Sequence, residues 1–75
     1  MDLTSILATL SAKRPIFHSE ADFQFALAWE IQQVYPSADI RLEYPYMMGA
    51  KEYIDILVRL DGRVYPIELN IKQNC

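Results

Sequence analysis

Apolar side chains recur at helical spacing in the first part of the chain. The first such stretch covers residues 2–12, and its apolar positions are Leu3, Ile6, Leu7 and Leu10. Asp2 suits the positive N-terminal end of a helix. Lys13-Arg14-Pro15 follows, with two cations that suit a last helical turn and a proline that stops the helix. The pattern predicts a short first helix over about residues 2–12.

A second helical pattern begins at Ser19 and runs to about residue 35. Ser19 is a favourable N-cap, and Asp22 three residues later gives a variant of the capping box. Glu20 and Asp22 both lie in the first turn, where the helix dipole favours negative charge. The apolar positions with the 3.6-residue period are Phe23, Ala26, Leu27, Ile31 and Val34. Pro36 then ends the predicted helix, which covers residues 19–35.

The hydrophobic period changes to two residues in the second half of the chain. Residues 40–45 alternate apolar and polar side chains and predict a strand, with Pro45 at its end or at a sheet edge. Residues 53–60 and 63–72 predict two more strands. Asp61-Gly62 between them favours a two-residue type I′ turn, which needs positive φ at both central positions. We therefore predict one α+β domain over residues 1–75, with two helices followed by a three-stranded antiparallel β-meander (α-α-β-β-β).

The two-residue turn fixes which side chains of the last two strands face each other. It places Leu60 opposite Arg63 and makes one face of the hairpin apolar, which supports this register. On the other face Asp55 lies opposite Glu68, with Cβ atoms predicted at about 4.5–5.5 Å. Two opposed carboxylates repel each other, whereas a hard cation such as Mg²⁺ would make the pair favourable. The alternative is a solvated face on which the pair costs about a few tenths of a kcal/mol.

The size of the chain bears on what stabilises it. A domain of 75 residues is marginal without a disulfide, a metal ion or a partner subunit. Cys75 is the only cysteine, so a disulfide within the chain is excluded and a reducing compartment is favoured. Metal binding and self-association remain as the candidate supports.

Charge and hydropathy limit the class of protein. The net charge is −3, although five of the seven basic residues lie after residue 38, so the chain lacks the strongly basic character of a general nucleic-acid binder. No apolar run approaches the roughly 20 residues of a membrane span. The first ten residues contain Asp2 and no basic cluster, unlike a signal peptide. We expect a cytoplasmic protein that does not enter a membrane.

Three segments of the chain together resemble the core of the PD-(D/E)XK nuclease superfamily, which has the restriction-endonuclease-like fold. They are Tyr53-Ile54-Asp55-Ile56-Leu57-Val58, Pro66-Ile67-Glu68-Leu69-Asn70-Ile71-Lys72 and the upstream Ser19-Glu20-Ala21-Asp22-Phe23-Gln24. In such proteins a helix precedes a β-meander, one strand carries an Asp, and the next carries an acid-x-Lys triplet. The resemblance spans roughly residues 17–72 and corresponds to the first half of that fold.

The resemblance implies a metal site and a hydrolytic activity. Asp55 matches the motif Asp, Glu68 the acid of the triplet and Glu20 the acid of the helix, so that these three are the expected ligands of Mg²⁺ or Mn²⁺. The third position of the triplet is Asn70 instead of Lys. Lys72 shares its face about 7 Å further along the strand and is a candidate replacement. The implied catalytic group is Asp55, Glu68, Asn70 and Lys72, acting on nucleic acid, with DNA expected before RNA.

Three functional hypotheses follow. The first is a Mg²⁺-dependent nuclease. The second is a non-catalytic nuclease-like remnant that acts through self-association or a partner, which Asn70, the short chain and the acidic balance favour. The third is a small structural α+β protein, in which the acidic pair is solvated and Glu20 only stabilises the helix dipole.

The restriction-endonuclease-like fold continues with a further helix and strand after the triplet. We therefore expect either a longer reading frame or another subunit to supply the remaining layer, and we expect at least a dimer. Phe25 and Trp29, which flank the apolar stripe of the second helix, are candidate packing or interface residues.

Overall fold

The computed structural model describes residues 1–45 and 52–69. Within these ranges the elements in chain order are α1 (Leu3–Lys13), α2 (Glu20–Val34), β1 (Asp39–Pro45), β2 (Tyr53–Leu60) and β3 (Arg63–Ile67). The strands form one antiparallel sheet with β2 in its centre. This confirms the predicted α-α-β-β-β order and the α+β class. Neither helix in the described part of the chain has the length and apolarity needed to cross a bilayer.

Both helices begin at side-chain caps: Ser19 is the cap that the sequence predicts, whereas Asp2, predicted inside the first helix, precedes α1 and caps it. Asp2 accepts a backbone N–H of the first turn of α1 at 3.1 Å, and Ser19 Oγ accepts the N–H of Asp22 at 3.1 Å. Asp22 does not complete a reciprocal box with Ser19. Its carboxylate instead accepts from Arg14 at 2.7 Å and from the N–H of His18 at 3.1 Å. These bonds, the Arg14 bond foremost, hold the pKa of Asp22 below its ordinary value.

The hydrophobic core lies between the two helices and one face of the sheet. Leu27 and Ile31 of α2 and Ile56 and Val58 of β2 are at most 1% exposed. The other buried members of this core are Ile6, Leu10, Ala38, Leu60 and Ile67. Val34 continues the apolar period of α2 but is 49% exposed, because it is the last residue of the helix.

Two polar side chains of α2, Gln24 and Glu30, are buried against the expectation from the apolar stripe. The carboxylate of Glu30 accepts two hydrogen bonds from Lys13 Nζ, at 2.9 and 3.1 Å. A buried carboxylate is costly unless it is paired, and Lys13 supplies the partner. The ion pair also joins the end of α1 to α2. Gln24 has a different partner, on β2.

The hairpin of β2 and β3 has the predicted register over its whole length. Leu60 pairs with Arg63 and Ile56 with Ile67, and the turn between them has the positive φ values of a type I′ turn, 52° at Asp61 and 75° at Gly62. The third strand ends at Ile67 and is therefore shorter than the predicted 63–72. Residues 68 and 69 belong to no strand, and residues 70–72 lie outside the described ranges.

Candidate active site around Asp55

On the β3 side, the sheet stops pairing at Asp55. The ladder between β2 and β3 ends with Ile56 and Ile67, one position before the predicted pair of Asp55 and Glu68. The N–H of Leu69 donates to Asp55 Oδ2 at 2.7 Å. In a continued antiparallel ladder that N–H would bond to a main-chain carbonyl of β2. The Asp55 carboxylate has replaced that acceptor, which explains why β3 is shorter than predicted and why Glu68 lies outside the ladder.

On the β1 side, Asp55 also lacks a strand partner. Leu42 pairs with Ile56 and Tyr44 with Ile54, but Glu43, which lies between them opposite Asp55, is not part of the ladder. Glu43 has a φ of 49°, in the left-handed region. Such a conformation costs a residue other than glycine about 1–3 kcal/mol. We call this place, where neither Glu43 nor Glu68 pairs with Asp55, the sheet opening.

A side chain of α2 also bonds to the main chain of Asp55. Gln24 Nε2 donates to the main-chain carbonyl of Asp55 at 2.7 Å. In β2, Leu60 and every second residue before it direct their main-chain groups toward β3, as the two-residue turn requires. Asp55 lies between two of these residues, so its carbonyl is directed toward β1. Asp55 is thus fixed twice, through its carbonyl by Gln24 and through its carboxylate by Leu69.

The predicted metal ligands come from separate parts of the fold. Asp55 is half-buried, and Glu68 is exposed one residue beyond the end of β3. Glu20 is half-buried in the first turn of α2. It precedes Gln24 by four residues and therefore shares the helix face that meets Asp55. Asn70 and Lys72, the other two predicted catalytic residues, lie outside the described ranges.

The candidate ligand atoms are carboxylate oxygens, the type of ligand that a hard cation prefers. Asp55 Oδ2 is occupied by Leu69, whereas Oδ1 accepts no hydrogen bond from residues 1–45 and 52–69. Within the same ranges the side chains of Glu68 and Glu20 take part in no hydrogen bond or ion pair. Mg²⁺ is bound by one or two carboxylates together with water and phosphate oxygens. No three His, Cys, Asp or Glu side chains of the described residues converge to form a ready metal site, so Asp55 and Glu68 are the minimal candidate pair.

The sequence did not predict the roles of two residues of the sheet opening, Gln24 and Glu43. For Gln24 one indication was present, since it lies four residues after Glu20 within a segment of the superfamily resemblance. Glu43 carried none, because its position alternates regularly in β1 and its residue type does not favour positive φ.

A second surface feature lies between α2 and β1, away from Asp55. We call it the α2–β1 groove. It has a volume of about 290 Å³ and is lined by Phe25, Ala28, Trp29, Gln32, Ile40 and Leu42. Phe25 and Trp29 are 62% and 67% exposed. β1 is an edge strand of the described sheet, so no neighbouring strand of that sheet covers the groove.

The chain was also compared with known proteins. No protein-family model, no curated protein and no solved structure matches it. Function is therefore argued from the residues around Asp55 and from the α2–β1 groove.

Proposed function

We propose that this chain is a nuclease-like domain of the PD-(D/E)XK type, acting in the cytoplasm. It binds Mg²⁺ or Mn²⁺ through Asp55 and Glu68, with Glu20 as a third carboxylate, and hydrolyses phosphodiester bonds of nucleic acid, DNA in preference to RNA. The observation that carries the proposal is the sheet opening. Strained and unpaired backbone is costly, and it is retained mainly where a site requires it.

The roles of the residues follow from their chemistry. A bound divalent cation would polarise the scissile phosphate and lower the pKa of a coordinated water. Asp55 accepts the Leu69 N–H through Oδ2, which leaves Oδ1 available to a cation, and Glu68 is exposed beside the end of β3. Asn70 can hydrogen-bond a water, and Lys72 can contact a phosphate through its ammonium group.

Metal titration of the free protein tests this proposal. We expect the wild type to bind Mn²⁺, and Asp55→Asn to bind it at least about tenfold more weakly, because a neutral amide replaces an anionic ligand. Calorimetric titration measures both affinities. Asp61→Asn is the matched control, since it removes the same charge at the other end of β2. Absence of binding by the wild type, or equal affinity of Asp55→Asn and wild type, would contradict the proposal.

The α2–β1 groove supports a second function, homodimer formation, which also suits the non-catalytic alternative. A twofold interface needs one patch that is complementary to itself. The exposed rings of Phe25 and Trp29, beside Ile40 and Leu42 in the same groove, support such a patch. None of its six lining side chains is charged, so two copies of an acidic chain can meet there without repulsion. We propose a second copy of this chain as the occupant.

A charge placed in the groove is expected to separate the two copies. Trp29→Glu should shift the protein from dimer to monomer, because a large apolar contact is lost and two carboxylates are brought together at the interface. Sedimentation velocity over a wide range of protein concentration measures the change. Gln33→Glu, on an exposed position of α2 outside the groove, is expected to remain dimeric. A monomeric wild type, or an equal effect of both substitutions, would exclude this interface.

A further inference from the structure

We propose that Gln24 is a positioning residue for the Asp55 carboxylate, an inference that rests on the proposed metal site. Gln24 is 7% exposed, and its amide donates to the Asp55 carbonyl at 2.7 Å. A buried amide is tolerated only where it is hydrogen-bonded, and the partner of this amide is the main chain of Asp55. A residue of this type on the core face of α2 therefore indicates a requirement at its partner, Asp55.

A second departure from regular structure meets the same peptide unit. Glu43, on a different element, adopts a φ of 49° and leaves the ladder opposite Asp55. Either departure alone would be a local irregularity. Together they bring an irregular residue of β1 and a buried side chain of α2 to the same residue of β2.

The hydrogen bond from Gln24 controls the direction in which the Asp55 carboxylate points. The bond from Leu69 holds Oδ2 but allows the peptide of Asp55 to tilt about it. The bond from Gln24 fixes that peptide from the opposite side, and so leaves Oδ1 with one orientation. Ligand groups need to be held within about 0.5 Å of their working positions. Gln24 thus acts through Asp55 and is not itself a ligand.

The test compares Gln24→Met with Glu30→Met. Methionine is similar in length to both residues but lacks their polar groups. Glu30 is the matched control, because it is likewise buried on α2 but its side chain bonds to Lys13 of α1 and not to β2. We expect Gln24→Met to bind Mn²⁺ about 10–100-fold more weakly, the usual effect of losing an outer-shell partner. Glu30→Met should keep wild-type affinity.

A metal-independent measurement separates this inference from the proposed function. In metal-free protein, the amide hydrogen of Leu69 should exchange about tenfold faster in Gln24→Met, as expected for one weakened hydrogen bond. In Glu30→Met its protection relative to global stability should not change. If the wild type fails to bind Mn²⁺ while Leu69 responds only to Gln24→Met, the metal site is wrong and the positioning of Asp55 stands.

The opposite result is equally informative. Unchanged Leu69 exchange and unchanged Mn²⁺ affinity in Gln24→Met, or equal changes in both variants, would overturn the positioning role. If Gln24→Met does not fold, Gln24→Asn provides the measurement. It keeps the amide but is one methylene too short for the 2.7 Å bond, and it is expected to change both readouts in the same direction.

Discussion

Replacing Ile31 by alanine is expected to lower the free energy of unfolding by about 2–5 kcal/mol. The Ile31 side chain is completely buried in the core between the helices and the sheet. Its truncation loses apolar burial and leaves a cavity that close-packed neighbours fill only in part. A chain of 75 residues has a total stability of only about 4–11 kcal/mol by the usual scale per residue. The substitution therefore removes a large share of the total, and a substantial unfolded population is expected at physiological temperature.

Urea unfolding followed by circular dichroism measures this loss. Val34→Ala is the control on the same helix, since Val34 is 49% exposed and its truncation should cost about 1 kcal/mol or less. Should Ile31→Ala fail to fold, Ile31→Val is expected to cost about 0.5–1.5 kcal/mol. Equal losses at positions 31 and 34 would mean that α2 does not pack on the sheet through the face described above.

The elements of this fold were predictable because their signals are local. Ser19 caps α2 through a bond to a residue three positions later, and Asp61-Gly62 sets the hairpin register through its own backbone conformation. Each signal acts within one turn of chain, where sequence spacing determines spatial position. The buried ion pair of Lys13 and Glu30 joins two helices, and helical periodicity alone does not reveal such a contact.

The candidate site was predictable in its residues but not in its geometry. The register correctly brings Asp55 to the end of the hairpin, yet the paired ladder stops one position short of Glu68. The reason is that a side-chain acceptor can compete with the main-chain acceptor of the ladder, which an alternating apolar–polar pattern does not indicate. An aspartate side chain can accept a backbone hydrogen bond in place of the ladder, and Asp55 does so from Leu69. The resulting opening depends on three separate elements, so only the assembled fold reveals it.

The sheet opening also connects stability with function. The positive φ of Glu43 lowers the stability of a small domain. Sequences often depart from local structural preferences at functional sites. The other non-glycine residue with positive φ in the described ranges, Asp61, lies in the hairpin turn, and the other buried polar residue, Glu30, pairs with Lys13. Glu43 and Gln24 both adjoin Asp55 instead, and this coincidence supports the proposed site.

Restoring the acid-x-Lys triplet gives the largest expected change in activity. Asn70→Lys should raise Mn²⁺-dependent cleavage of plasmid DNA by about 10²–10³-fold, the usual effect of one group that stabilises developing charge. Asparagine can hydrogen-bond a water but carries no charge, whereas lysine supplies the ammonium group that the resemblance implies at this position of the triplet. The appearance of nicked and linear plasmid over time measures the rate. The prediction depends on the superfamily resemblance, in which this position is the lysine.

The control substitutions separate a catalytic effect from a general gain of positive charge. Asn74→Lys adds the same side chain outside the motif, and it is expected to leave cleavage near the wild-type rate. Adding Glu68→Ala to Asn70→Lys should abolish the gained activity, because one of the two principal ligands is lost. If Lys72 already replaces the triplet lysine, Lys72→Ala will lower wild-type cleavage, and Asn70→Lys will compensate for that loss. Equal rates for Asn70→Lys and Asn74→Lys, or cleavage that survives Glu68→Ala, would contradict a nuclease centre at Asp55 and favour the non-catalytic, self-associating alternative.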